Sequence, residues 1–187
     1  MSAAALEIRD ELTSLERVGL ALQYKKPDRV PAAPLICGAS CRVLGYSYDR
    51  WSQDPKIAVA SLLAAQELIG FDGFLTLVDL SVEAEDFGQE VIFPERSTAL
   101  PNFDNPFIAT ADDYSKVKPV DPRKSRRMSS VIEIVRGLVE AKGKEVPTMG
   151  FVYGPPWCAV ADPGACGAVQ RHHPPPRSGA RGRSHHQ

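Results

Sequence analysis

The strongest constraint on the fold is the run from Ile69 to Pro94, IGFDGFLTLVDLSVEAEDFGQEVIFP. It reads as a helix end, a strand over Gly73 to Leu80 closing on Asp79, a polar loop, and a second extended run. Nearly unbroken apolar character suits a strand covered on both faces, as in a parallel sheet flanked by helices. An acid at the carboxyl end of such a strand stands where α/β proteins keep site residues.

The flanking segments fit the same scheme. Ile8, Leu12, Leu15, Val18 and Leu22 recur at helical spacing, which predicts a helix over Leu6 to Gln23. Val30 to Cys37 (VPAAPLIC) reads as a first strand, with its prolines placed early. Gly38 to Gln53 is taken as a loop. Asp54-Pro55 gives an N-cap with proline at the first helical position, so Ile57 to Ile69 is a helix with Gly70 just past its end. Gln89 to Phe93 is extended or a small hairpin. Ser97 to Lys118 reads as a long loop with a short helix over Ala111 to Lys116. Ser130 to Glu133 has the form of a capping box opening a helix to Ala141, and Gly143 stops it. Val146 to Tyr153 is another strand. Repeated βα units predict an α/β fold with a parallel sheet, either doubly wound or a (β/α)8 barrel.

The chain changes character after Gly154. Pro155 to Gln187 contains no Leu, Ile, Phe, Tyr, Met, Lys or Glu, and it carries all four histidines. Such a segment has too little apolar surface to offset the entropy of ordering, so disorder is expected over 155–187. We read it as an out-of-frame or mis-joined tail, with residues 1–154 as one body. Net charge is -1, which gives no general attraction to nucleic acid or anionic membrane. No signal-peptide pattern opens the chain, and its most apolar stretch, Ile57 to Ile69, is too short to span a bilayer. A cytoplasmic protein without nucleic-acid or membrane partners is expected, and its four cysteines are expected to be thiols.

From about Leu20 to Gly154 the chain resembles the uroporphyrinogen decarboxylase superfamily, which holds the haem-pathway decarboxylase and the corrinoid-dependent methyltransferases. The resemblance is carried by KKPDRVP at Lys25 to Pro31 and by the DPKIAVASLLAAQELIGFDG helix-into-strand passage. It continues through VDL at Val78 to Leu80, FGQEV at Phe87 to Val91 and PTMGF at Pro147 to Phe151. It implies a (β/α)8 barrel of which this chain holds only the first βα units. It implies a parent enzyme acting on a tetrapyrrole system: a methyltransferase using a corrinoid protein and zinc, or alternatively the decarboxylase of porphyrin biosynthesis. A third expectation is that this chain alone is a non-catalytic fragment, because part of a barrel exposes unpaired strand edges.

Asp79 matches the family's aspartate that accepts hydrogen bonds from pyrrole NH groups, and it is the expected catalytic and substrate-binding residue. Arg42 in CGASCR matches the second arginine of the decarboxylase segment M-R-Q-A-G-R and is the second expected substrate-binding residue. The first arginine has no counterpart, which favours the methyltransferase branch, since a substrate with eight carboxylates needs several cationic partners. Cys37 and Cys41 have half the spacing of a zinc site, but no second pair follows within residues 1–154. Cys158, Cys166, His172, His173, His185 and His186 do not reproduce the family's zinc pattern. No metal site and no resident cofactor are therefore expected in this chain. The acids Glu83, Glu85 and Asp86, and the run Arg123 to Arg127, read as solvated loops.

Overall fold

The computed structural model describes residues 10–153. The expectations for the first nine residues and for the tail lie outside the described residues. Helix α1 spans Ser14–Leu22. It starts later than the apolar spacing suggests because Thr13 caps it: the Thr13 hydroxyl accepts from the Glu16 amide, and the Glu16 carboxylate accepts from the Thr13 amide. A 3₁₀ helix, Cys37–Leu44, and a short α2, Tyr48–Gln53, fill the stretch read as loop. Helix α3 is Pro55–Ile69. Its Asp54 cap accepts from the Lys56 amide at 2.9 Å, and Gly70 ends it at φ 78°, a left-handed turn suited to glycine.

Strand β1 is Phe74–Leu75, α4 is Val82–Asp86, and β2 (Val91–Ile92) with β3 (Leu100–Pro101) forms the small antiparallel hairpin. A 3₁₀ helix at Ala111–Lys116 precedes α5, Arg127–Lys142, and β4 is Thr148–Met149. β4 runs parallel to β1, with Phe74 opposite Thr148 and Leu75 opposite Met149. The protein is a mixed α/β chain in which everything from α4 to α5 forms the crossover between two adjacent parallel strands.

The core gathers on the helix side of this pair. Leu62 and Ala65 of α3, Phe71, Phe74, Ile134 and Leu138 of α5, and Val146 are each at most 3% exposed. Burying each large side chain contributes about 1.5–3 kcal/mol. Gly137 lets α5 approach α3: a Cβ there would stand 3.0 Å from Val59 Cγ2.

The strands expected over Gly73 to Leu80 and Val146 to Tyr153 pair only at Phe74–Leu75 and Thr148–Met149, and two further expectations differ. Val30 to Cys37 forms no strand. Pro31 and Pro34 have no N–H for a ladder. The segment is tied instead to Asp72, whose amide donates to Ala32 O at 2.6 Å and whose carboxylate accepts from the Ala32 amide at 2.7 Å. Asp72 also accepts from Arg17, an α1 residue only 1% exposed, at 2.6 Å, and from Arg29 and Ser14. The Ser130 capping box does not form either. Helix α5 begins at Arg127, and its free amides are capped from α4: Asp86 accepts from Arg127 N and Met128 N at 3.0 and 2.7 Å. The Ser130 hydroxyl folds back onto Arg126 O within the helix.

Candidate functional site

Beyond their two paired residues, both parallel strands continue as extended chain toward the same end of the molecule. Thr76 to Asp79 prolongs β1 and Phe151 to Tyr153 prolongs β4. The two are stitched by Thr76 N–H to Met149 O at 3.1 Å and Phe151 N–H to Thr76 Oγ1 at 3.3 Å. Between these tips and the crossover lies a cavity of about 660 Å³. Its walls are mainly apolar: Leu77, Val78, Val82, Phe87, Phe107, Ile108, Val117, Met128, Val131 and Phe151.

The far wall belongs to the long loop, and one buried amide holds it. Gln89 accepts from the Phe107 amide at 2.9 Å and donates to Glu90 O and Asn102 O at 2.9 and 3.2 Å. Gly88, at φ 114°, sits against the Phe107 ring, where a Cβ would come within 2.9 Å.

Asp79 lines this cavity and is 3% exposed. Its Oδ1 accepts from the Ser81 amide at 2.9 Å, and its Oδ2 accepts a very close hydrogen bond from Arg127 Nη2. The second Arg127 nitrogen donates to Glu85 Oε2 at 2.6 Å, and the guanidinium lies 4.9 Å from the centre of the Phe93 ring. Arg126 reaches Glu85 from outside at 2.8 Å. Burial pushes the Asp79 carboxyl above its ordinary value, while the Arg127 charge and the Ser81 amide oppose that rise. Glu83 also lines the cavity. Its Oε1 accepts from the Tyr153 amide at 3.0 Å, and its Oε2 is buried with no hydrogen-bond partner among the described residues. Burial, with the nearby Glu83 and Asp79 charges, pushes the Tyr153 phenol up to about 12.

The acidic stretch forms α4 and is not a solvated loop, whereas in the basic run Arg123, Lys124 and Arg126 are exposed in a turn, as expected, and Arg127 is buried. Each places at least one residue in a buried cluster, and Arg127, 2% exposed, is the functional-site residue that sequence reading missed. Its partners lie 42 and 48 residues away, so no local signal marks it. Arg42 stands apart. It is exposed, on the 3₁₀ helix, and lines a separate cleft of about 390 Å³ with Tyr46, Tyr48, Glu95 and Arg96. The structure does not bring Arg42 and Asp79 to one cavity.

Among the described residues no group of three His, Cys, Asp or Glu side chains is placed to hold a metal. Cys37 and Cys41 are free thiols, and burial pushes both up, away from the thiolate that zinc requires. The described donor set does not fit zinc. Among the described residues no helix is long and apolar enough to cross a membrane.

A parallel pair with helical crossover and a cavity at its strand tips is a recurrent α/β enzyme arrangement. The family model described as Uroporphyrinogen decarboxylase (URO-D) matches residues 13–161, past the composition break at Pro155. The chain belongs to the uroporphyrinogen decarboxylase family. It is similar to the methylcobamide:CoM methyltransferase MtbA of Methanosarcina acetivorans, at 26% identity over 148 residues covering 78% of this chain and 43% of the relative. The Methanosarcina mazei protein of the same name gives the same identity and coverage. A solved methyltransferase from Methanosarcina mazei superposes with a TM-score of 0.68 at 22% identity, over 81% of this chain and 45% of that one. The chain thus spans less than half the length of these relatives.

Proposed function

We propose that residues 1–154 are the first βα units of a (β/α)8 barrel whose parent transfers a methyl group from a corrinoid protein to a thiol. The observation that carries it is the similarity to two methylcobamide:CoM methyltransferases along 148 residues. The site supports the same branch. Arg127, the buried cation at the cavity, is committed to Asp79 and Glu85, so it is not free to bind the carboxylates of a uroporphyrinogen. The corrinoid, as substrate, supplies the methyl group.

This chain's own residues bind and orient. The apolar walls exclude water from the strand tips, and Asp79, fixed by Arg127, presents a carboxylate edge to a peripheral amide N–H of the corrinoid, whose ring nitrogens are all bound to cobalt. Arg42, in its separate cleft, is given no contact with the ring in this reading. Among the described residues no set is placed to activate a thiol, and this reading assigns them binding and orientation.

Equilibrium dialysis of the full chain against methylcobalamin, and separately against uroporphyrin, tests this. Methylcobalamin is expected to be retained, Asp79→Ala to weaken it about tenfold, and uroporphyrin to be excluded. Tight uroporphyrin binding that depends on Arg42 and Asp79 would replace the methyltransferase reading with the decarboxylase one.

A further inference from the structure

The far wall of the cavity is tied to the molecule by a side chain rather than by sheet pairing. Past Pro101 the β2–β3 ladder gives one more bond, from the Asn102 amide to Glu90 O at 2.8 Å. The chain then turns, with the Asn105 amide donating to Asn102 O at 3.2 Å, and reaches the cavity wall at Phe107. Over this turn Gln89 takes the place of a neighbouring strand. Its Nε2 donates to Glu90 O, Asn102 O and Asn105 O at 2.9, 3.2 and 3.4 Å, and its Oε1 accepts from the Phe107 amide at 2.9 Å. Gln89 is itself fixed: it is buried, and its own amide donates to Ala84 O of α4 at 2.9 Å. The Phe107 ring lies on Gly88, where any side chain would collide with it. A buried side-chain amide that uses both its ends on one turn holds that turn in a single place, because releasing it leaves polar groups unpaired.

We propose that Gln89 is a positioning residue for ligand selection: it fixes the turn from Asn102 to Phe107, keeps the Phe107 ring on Gly88, and so makes the cavity prefer a flat group to a globular one of equal carbon count. Phe87, Phe107 and Phe151 give the cavity aromatic surface on which a planar group can stack. A globular group has to push back a wall that is held at its backbone by Gln89 and at its ring by Gly88, and packed protein resists that displacement. The inference concerns the shapes that the cavity admits and does not rest on the methyl-transfer reading.

The test is calorimetric titration of the full chain with 2-naphthol and 1-adamantanol, two neutral alcohols with the same number of carbons, one flat and one globular. The unaltered chain is expected to bind 2-naphthol at least about tenfold more tightly. Gln89→Leu keeps most of the side-chain volume and removes its hydrogen bonds, and it is expected to cut the preference to about threefold or less. Phe107→Ala is expected to do the same, and the double variant to do no more than either single one, since Gln89 acts through Phe107. A residue serving stability alone would weaken both alcohols in proportion and leave their ratio unchanged. In the unaltered chain, hydrogen exchange of the Phe107 amide is expected to slow when 2-naphthol binds, which tests the proposal even where Gln89→Leu does not fold. No binding of 2-naphthol, equal binding of the two alcohols by the unaltered chain, a full preference surviving in Gln89→Leu or Phe107→Ala, a further loss in the double variant, or unchanged Phe107 exchange would each overturn it. Failure of methylcobalamin to bind would leave these results untouched, so the two readings fail separately.

Discussion

Replacing Arg127 by methionine keeps much of the side chain's length and apolar packing while removing its charge. In the native chain this guanidinium is 2% exposed and pairs with an Asp79 carboxylate whose side chain is fully buried, and with Glu85. Removing one partner of a buried pair leaves an uncompensated charge and costs about 3–5 kcal/mol. For a chain of this size that is a fall in melting temperature of roughly 10 °C. The pH dependence follows from the direction of the Asp79 shift. Burial raises this carboxyl in the folded state and Arg127 opposes the rise. A folded-state value above the unfolded one means that the group's contribution to stability falls as pH rises through that window. Without Arg127 the window widens upward, so the penalty is largest near neutral pH and shrinks as pH falls toward the ordinary carboxylate range. Urea unfolding followed by the fluorescence of buried Trp51, near pH 7 and again near pH 5, measures both quantities. Arg127→Met costing less than about 1 kcal/mol near pH 7, or costing the same at both pH values, would refute this account of the site.

Asp72→Asn should destabilise by about 3 kcal/mol or more, because Arg17 loses a buried counter-charge. Burial raises the Asp72 carboxyl, but Arg29, the Ala32 amide, Ser14 and Arg17 outweigh it and hold the group at about 2. Its stabilisation is therefore present above the unfolded value and lost as pH falls toward about 2, and acid unfolding of Asp72→Asn should show a flatter limb over that range. Asp86→Ala should cost about 1 kcal/mol in urea unfolding, the usual worth of a helix N-cap, since it uncaps α5. Gly88→Ala should both destabilise the chain and reduce ligand binding at the cavity, because φ 114° disfavours a side chain and the new Cβ would press on Phe107.

What the sequence revealed depended on how local the signal was. Helix α3 was legible at both ends because Asp54, Pro55 and Gly70 act within their own turn. The buried position of Asp79 was legible because an apolar run led into it. The start of α5 was not, because its cap is Asp86, across a 41-residue separation, and the nearer Ser130 offered a false local solution. Val30 to Cys37 looked like a strand from its apolar content, but its prolines removed the donors a ladder needs, and the side chain of Asp72 took up the backbone instead. The cluster of Asp79, Glu85 and Arg127 was invisible because a charged residue in a polar run looks the same whether it faces water or a distant carboxylate. The 3₁₀ helix carrying Arg42 was hidden by its small residues, which favour no single conformation strongly.

The central claim is that the cavity at the strand tips, with Asp79 at its edge, receives the tetrapyrrole substrate. Backbone amide chemical shifts of the full chain titrated with methylcobalamin test it most directly. The account predicts that the shifts concentrate at Asp79, Ser81, Glu83, Phe107, Phe151 and Tyr153, and that Asp79→Ala weakens them together. Shifts confined to the Arg42 cleft, or no saturable shifts at all, would contradict it.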